Sequence, residues 1–175
     1  HYAFHDLAAD AAFASLVPGG EPLALANPLS ERYAVMRRSL LPGLVATAGF
    51  NARRGAPVAR LFELGHLFPA GGTEEVEAVG LVLGGRFGEP WDRQPELDLF
   101  DLKGVVESLA EAAGVAFAAR AANLAGFVPG TAGEWLDATG GVVGCFGQVA
   151  ASETPFALHA AELRTDALAA GAERG

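Results

Sequence analysis

Two adjacent arginine pairs, Arg37–Arg38 and Arg53–Arg54, stand out in a chain that is otherwise acidic and rich in alanine. Guanidinium groups are forked, permanently charged donors that match phosphate oxygens, so the first chemistry these residues suggest is anion or RNA contact. Two glycine-rich runs, "GGRFGEP" (84–90) and "GGVVGCFG" (140–147), invite a phosphate-loop reading. Neither follows a strand and opens a helix in the required way, and there is no Gly-Lys-Ser/Thr. Turns and close backbone packing in a sheet explain them better. The carboxylates Asp98 and Asp101, and the pair Glu74–Glu75, read as solvated groups, with Asp101 capping a helix. Ser39 has no surroundings resembling a nucleophile elbow. Cys145 is the only cysteine and lies in a glycine-rich apolar run, the setting of a small core residue. His1, His5, His66 and His159 show no helical metal spacing. No catalytic, cofactor or metal site follows from the residues alone; the four paired arginines, Arg37, Arg38, Arg53 and Arg54, are the candidates for subunit or RNA contact.

The charge balance limits the RNA reading. The chain has 175 residues, a formal net charge of -9, one lysine (Lys103) and eleven arginines. A free-standing nucleic-acid binder is usually basic, because neutralising phosphates supplies most of its affinity. Any RNA contact here is expected to be local, or shared with other parts of an assembly. Hydrophobic residues make up 51% and charged residues 19%, the balance of one folded domain rather than of a disordered chain. No apolar stretch approaches the roughly 20 residues of a membrane span, so no membrane role is expected. A single cysteine allows no internal disulfide, which fits a reducing compartment, the cytoplasm. The chain opens at His1 with no methionine, basic start or apolar run, and is expected to be a piece of something larger.

The elements that must position these residues follow from periodicity. "HYAFHDL" reads as a weak strand, "LAADAAFASL" as a short helix ended by Pro18-Gly19-Gly20, and "PLALANP" as a strand closed by Asn27-Pro28. "YAVM" is short and extended. Ser39 is expected to cap a helix with Pro42 in its first turn and Leu41, Leu44, Val45 and Ala48 on its buried face. Arg53 and Arg54 fall in its last turn, where cations suit the helix dipole, and Gly55 ends it. Residues 57–68 are predicted to be a strand with Leu61, Glu63, Gly65 and Leu67 on one face and Arg60, Phe62, Leu64, His66 and Phe68 on the other. "VEAVGLVLGG" reads as a central strand buried on both faces. "RFGEPWDRQPE" reads as a loop. "DLFDLKGVVESLAEAAG" reads as a helix with the stripe Leu102, Val105, Val106, Leu109, capped by Asp101 and stopped by Gly114. "VAFAARAA" is a strand, "EWLDATGGVVGCFGQV" a hairpin about Thr139-Gly140-Gly141, and "FALHAAEL" a last strand. The predicted class is α+β: a mixed, mainly antiparallel sheet with helices against one face. Residues 1–165 form the domain and 166–175 a frayed tail.

Taken in order, "NPLSERYAVMRRSLLPGLVATAGFNARRG", "RLFELGHLF", "LDLFDLKGVVESL", "VPGTAG" and "VGCFGQV" resemble the central, class II synthetase-like core domain of the bacterial phenylalanyl-tRNA synthetase β subunit. The likeness spans nearly the whole chain. It implies a class II aminoacyl-tRNA synthetase-like fold, an antiparallel sheet flanked by helices. It also implies a domain similar to a catalytic domain that has lost its chemistry. In that family aminoacylation, with its ATP and Mg, belongs to the α subunit, and the β subunit pairs with α in a heterotetramer that handles phenylalanine tRNA. The editing and tRNA-binding modules lie outside the matched part, so the resemblance implies a fragment beginning after the domain's opening helix.

In active relatives the motif 2 strand carries an arginine for the α-phosphate. Here that strand reads Phe62-Glu63-Leu64-Gly65, and a glutamate would repel a phosphate. The motif 3 equivalent should end in an arginine; residues 144–151 read Gly-Cys-Phe-Gly-Gln-Val-Ala-Ala. Four positions depart from the β-subunit pattern: Arg38 replaces a common threonine, Val128 a histidine, Gln148 a glutamate, and Ala150-Ala151 a His-Pro pair. The resemblance therefore implies no catalytic residue and no cofactor bound by this domain. Two alternatives stay open: an active ATP-dependent class II ligase using Arg37, Arg60 or Arg86, and an RNA-binding module using Arg37, Arg38, Arg53 and Arg54.

Overall fold

The computed structural model describes residues 3–13, 16–17, 20–28, 30, 34–71, 74–86 and 95–170. His1, Pro18-Gly19 and most of the 86–96 loop lie outside them. In chain order the elements are β1 (Phe4–His5), α1 (Leu7–Ala11), β2 (Val35–Met36), α2 (Leu41–Ala52), β3 (Val58–Leu67) and β4 (Val76–Gly85). They continue with α3 (Leu99–Ala112), β5 (Ala118–Ala121), β6 (Gly133–Leu136), β7 (Val142–Gln148), β8 (Leu158–Arg164) and α4 (Thr165–Ala169). Six strands form one sheet in the order β3-β4-β8-β7-β6-β5, every pairing antiparallel; β1 and β2 form a separate two-stranded ribbon. The α+β class and the antiparallel sheet flanked by helices are as the sequence predicts. The expectation of helices on one face only is corrected. α2 packs Leu41, Leu44 and Ala48 on Ala78, Val82, Leu158 and Ala160, while α3 packs Leu102 and Val106 on Leu81, Leu83, Ala161 and Leu163. These strand residues alternate, so the two helices lie on opposite faces.

β3 alternates as expected, with Arg60, Phe62, Leu64 and His66 exposed, and β4 is buried almost throughout. The β6–β7 hairpin closes on Asp137, whose Oδ1 accepts from Thr139 N, the Thr139 hydroxyl and Gly141 N at 2.6–2.9 Å. The Thr139 hydroxyl, then the backbone N–H groups, hold this carboxyl below the usual carboxylate range. Residues 23–25 make a single bridge, Ala24 to Val35, rather than the expected strand.

Three local expectations are corrected. The cap of α3 is Asp98; Asp101 sits at N3 and completes a capping box by accepting from Asp98 N at 2.8 Å. Its buried stripe is Leu102, Val106 and Ala110, while Val105 and Leu109 face outward. Arg53 is the C-cap of α2 and Arg54 lies beyond it, so neither is in the last turn; Gly55 and Gly114 follow their helices with φ of +90° and +69°, as expected of such stops. α4 follows β8 directly. There Ala167 packs against the α3-side core, and Arg164 pairs with Asp166, Nε donating to Oδ1 at 3.1 Å. Residues 171–175 lie outside the described residues.

Candidate functional site

The register of four strand pairings lines up five residues across the α2 face of the sheet. Glu63 lies opposite Gly80, Gly80 opposite Glu162, Glu162 opposite Cys145, and Cys145 opposite Glu134. Partners in an antiparallel register share a face, so three glutamates stand in one row with small residues between them. A carboxylate taken out of water needs a cation or hydrogen-bond donors, and each of the three has found one.

Glu63 is met by Arg37, whose Nη1 lies 2.6 Å from Oε1, both side chains largely buried. Arg37 also donates from Nε to the carbonyl of His66 at 3.0 Å, and its own carbonyl accepts from Phe68 N, which ties the 34–37 segment to the end of β3. At the far side of the row, Arg120 donates to Glu134 from Nε at 3.2 Å and Nη2 at 2.5 Å. Glu162, with 0% exposure, forms no ion pair among the described residues. It meets the start of α2 instead: Oε1 accepts from Leu40 N at 2.5 Å and from the Ser39 hydroxyl at 3.2 Å. Ser39 Oγ in turn accepts from Leu41 N at 3.1 Å. This corrects the expected role of Ser39. The helix N-cap is Leu40, with no side-chain cap of its own; Ser39, one residue before it, takes the Leu41 amide, and the Leu40 amide is taken by Glu162, 122 residues away. Burial raises Glu162 to about 7, against the Leu40 N–H and the Ser39 hydroxyl, which favour the anion.

Glycine makes this geometry possible. A Cβ on Gly65 would run into Arg37 Nη2, and one on Gly80 would lie 2.8 Å from Leu44 Cδ1 and 3.0 Å from Leu40 Cβ. Arg37, Leu40 and Leu44 therefore fill the space over the middle of the row. Gly80→Ala should overpack this contact and cost about 1–3 kcal/mol of stability, read from urea denaturation midpoints. Unchanged midpoints would show that α2 can lift off the sheet without loss.

The four candidate arginines are not brought together. Arg38 is held by Asp10, which is 2% exposed and accepts from Arg38 N at 3.0 Å and Nε at 2.7 Å; Arg38 Nη1 also donates to the Gly20 carbonyl. Arg53 pairs with Glu153, and Arg54 stacks 3.4 Å from the Phe50 ring centroid. Cys145 is buried, and burial pushes its thiol well above the ordinary range, the condition of an inert core residue. Among the described residues no three His, Cys, Asp or Glu side chains are grouped to hold a metal ion.

Sequence reasoning found Glu63 but missed Glu162. "FALHAAEL" does carry a signal, a glutamate flanked by Ala160, Ala161 and Leu163. It also missed the exposed apolar side chains of the opposite face, Phe62 (75% exposed) and Leu64 (60%) on β3 and Phe100 (77%), Val105 and Leu109 on α3. A groove of about 460 Å³ runs between β3 and α3, lined by Arg60, Phe62, Leu81, Leu83, Leu102 and Val105.

Residues 1–168 match the family described as the phenylalanyl tRNA synthetase beta chain CLM domain. Similar proteins include the phenylalanine–tRNA ligase β subunits of Xylella fastidiosa (strain 9a5c), 37% identical over 155 residues, and of Staphylococcus aureus (strain USA300), 33% identical over 160 residues. These alignments cover 83% and 86% of the chain and 19% and 20% of the relatives. That of Xanthomonas campestris pv. campestris (strain 8004) is 42% identical over 120 residues, covering 65% of the chain and 15% of the relative. The chain thus spans about a fifth of the length of the first two. The antiparallel sheet, the Arg37 to Gly55 segment built onto it and the match over residues 1–168 agree: the chain belongs to the phenylalanyl-tRNA synthetase β-chain CLM domain family.

Proposed function

We propose that the chain is a non-catalytic structural domain of a phenylalanine–tRNA ligase β subunit, which supports a catalytic α subunit. The observation that carries this reading is the Arg37–Glu63 pair. In the class II pattern the position of Glu63 belongs to the arginine that holds the α-phosphate. Here that position presents a carboxylate, and the nearest guanidinium is bound to it at 2.6 Å. A nucleotide would have to break a largely buried ion pair and accept a fixed negative charge beside its phosphates. Residues 144–151, where the second phosphate-binding arginine is expected, contain no cation. The four paired arginines fit the same reading, each engaged by a carboxylate or ring of this chain. ATP, Mg and tRNA chemistry then belong to the complex, and this domain contributes rigidity and partner contact.

The test combines chemistry and assembly. The chain alone is expected to show no phenylalanine-dependent ATP–pyrophosphate exchange, and to co-purify with the phenylalanine–tRNA ligase α subunit. Clear exchange by the chain alone, or failure to retain α, would overturn the reading.

A further inference from the structure

The two oxygens of the enclosed Glu162 are served unequally. Oε1 accepts from the Leu40 amide and the Ser39 hydroxyl. Oε2 is buried and meets no donor among the described residues. The groups facing the carboxyl from the packed elements supply none. Gly80 of β4 has no side chain, and Cys145 of β7 carries a thiol that burial keeps protonated. Glu63 of β3 adds a second negative charge, and Arg37 is held by it at 2.6 Å. His5 of β1 acts on Arg37 and Glu63. Glu134 of β6 lies one strand beyond Cys145 and is answered by Arg120.

An enclosed anion with one oxygen unserved costs far more than an enclosed neutral hydroxyl. The surroundings therefore suit a carboxylic acid, with the proton on Oε2 and Oε1 as the carbonyl oxygen that takes both donors. The raised pKa of about 7 has the same cause, burial outweighing the two donors.

This acid holds the start of α2. Leu40 N donates to Oε1, Leu41 N donates to Ser39 Oγ, and Leu44 N donates to the Leu40 carbonyl. Three amides of one corner thus hang from a single carboxyl. First-turn amides lack intrahelical acceptors, so a helix start opens more readily than a helix centre. When this turn lifts, water reaches Glu162 and its carboxyl returns to its ordinary acidity.

We propose that Glu162 is a proton-operated clamp: with a proton on Oε2 it seats the first turn of α2 on the sheet, and loss of that proton lets residues 39–44 open to water while the sheet stays folded. The seated form keeps the proton and the opened form releases it. The clamp is therefore at full strength below pH about 4.5, weakens as pH rises through the window from 4.5 to about 7, and is released above it.

The test is amide hydrogen exchange by NMR between pH 5 and pH 8, corrected for the intrinsic pH dependence of exchange, with and without low urea. The Glu162 carboxyl carbon is titrated alongside. Wild type is compared with Glu162→Gln, with Ser39→Ala, and with Glu107→Gln on the exposed side of α3 as control. In wild type, opening at Leu40, Leu41 and Leu44 is expected to rise on the order of 100-fold over this range and to be insensitive to low urea. The rise should vanish in Glu162→Gln and persist in Glu107→Gln. The carboxyl should titrate near 7 and move to higher pH in Ser39→Ala, because removing a donor from Oε1 disfavours the anion. A carboxyl that titrates in the ordinary range overturns the proposal, as does a rise that survives in Glu162→Gln. Opening at Leu40, Leu41 and Leu44 with the same urea sensitivity as Val106 and Ala110 of α3 also overturns it, since the clamp then acts only through global unfolding. If Glu162→Gln does not fold, the titration decides, and a carboxyl unmoved in Ser39→Ala sinks the clamp.

Discussion

Arg37→Met is expected to lower the unfolding free energy by about 3–5 kcal/mol, the largest single loss from any side chain of the carboxylate row. Arg37 is 6% exposed and is the cation that answers Glu63. Removing it takes a buried counter-charge from the largely buried Glu63 carboxylate and the Nε donor from the His66 carbonyl. For a domain of this size the loss corresponds to a fall of about 10 °C in Tm. Exposed ion pairs are worth far less, so a loss below about 1 kcal/mol would mean that the pair behaves as solvated. The companion Arg37→Met/Glu63→Leu removes both charges and should recover much of the stability, because desolvation opposes the pair itself. A double-mutant cycle in urea reads the coupling directly. If the double variant is as unstable as the sum of its single changes, Arg37 acts through packing rather than charge.

The second large effect is a pH dependence carried by Glu162. Burial holds its pKa at about 7, above the ordinary 4.5. The folded state therefore keeps a proton that the unfolded chain releases. This group's contribution is fully favourable below pH about 4.5, falls as pH rises through the window from 4.5 to 7, and is lost above it. The span is about 3 kcal/mol. His5 and His159 act in the opposite direction. Burial lowers both, so they add stability as pH rises toward 6.5. Their effects cancel in a difference between wild type and Glu162→Gln, which keeps an amide oxygen for Leu40 N and the Ser39 hydroxyl but cannot ionise. Relative to wild type, Glu162→Gln should gain about 3 kcal/mol between pH 5 and pH 8, measured by urea denaturation across that range. A difference that stays flat with pH would show that Glu162 does not titrate in this window.

The carboxylate row and the apolar groove are products of the same sheet. On the α2 face the register sets charged residues into a row that α2 and Arg37 then close. On the α3 face it leaves Phe62 and Leu64 of β3 exposed.

How much of this was legible in sequence depends on the distance over which each signal acts. Local periodicity determined the α2 segment, the alternation of β3, the buried run of β4, the β6–β7 hairpin and the final strand, because each depends on neighbours within a few residues. The family resemblance led to the expectation of an arginine where Glu63 stands. Helix ends were read less well, since Asp98 and Asp101 are both sound caps by type and only backbone geometry chose Asp98. The tertiary structure alone decided what lies side by side. Ser39 looked like a sufficient cap until β8 brought Glu162 from 122 residues away. Arg37 and Arg38 looked like a pair until Glu63 took one and Asp10 the other. Phe62 looked like half of an ordinary strand alternation, and among the described residues no helix covers it. Register, layer order and the face each helix chooses come from long-range packing of surfaces, and a linear pattern specifies each surface without specifying its partner.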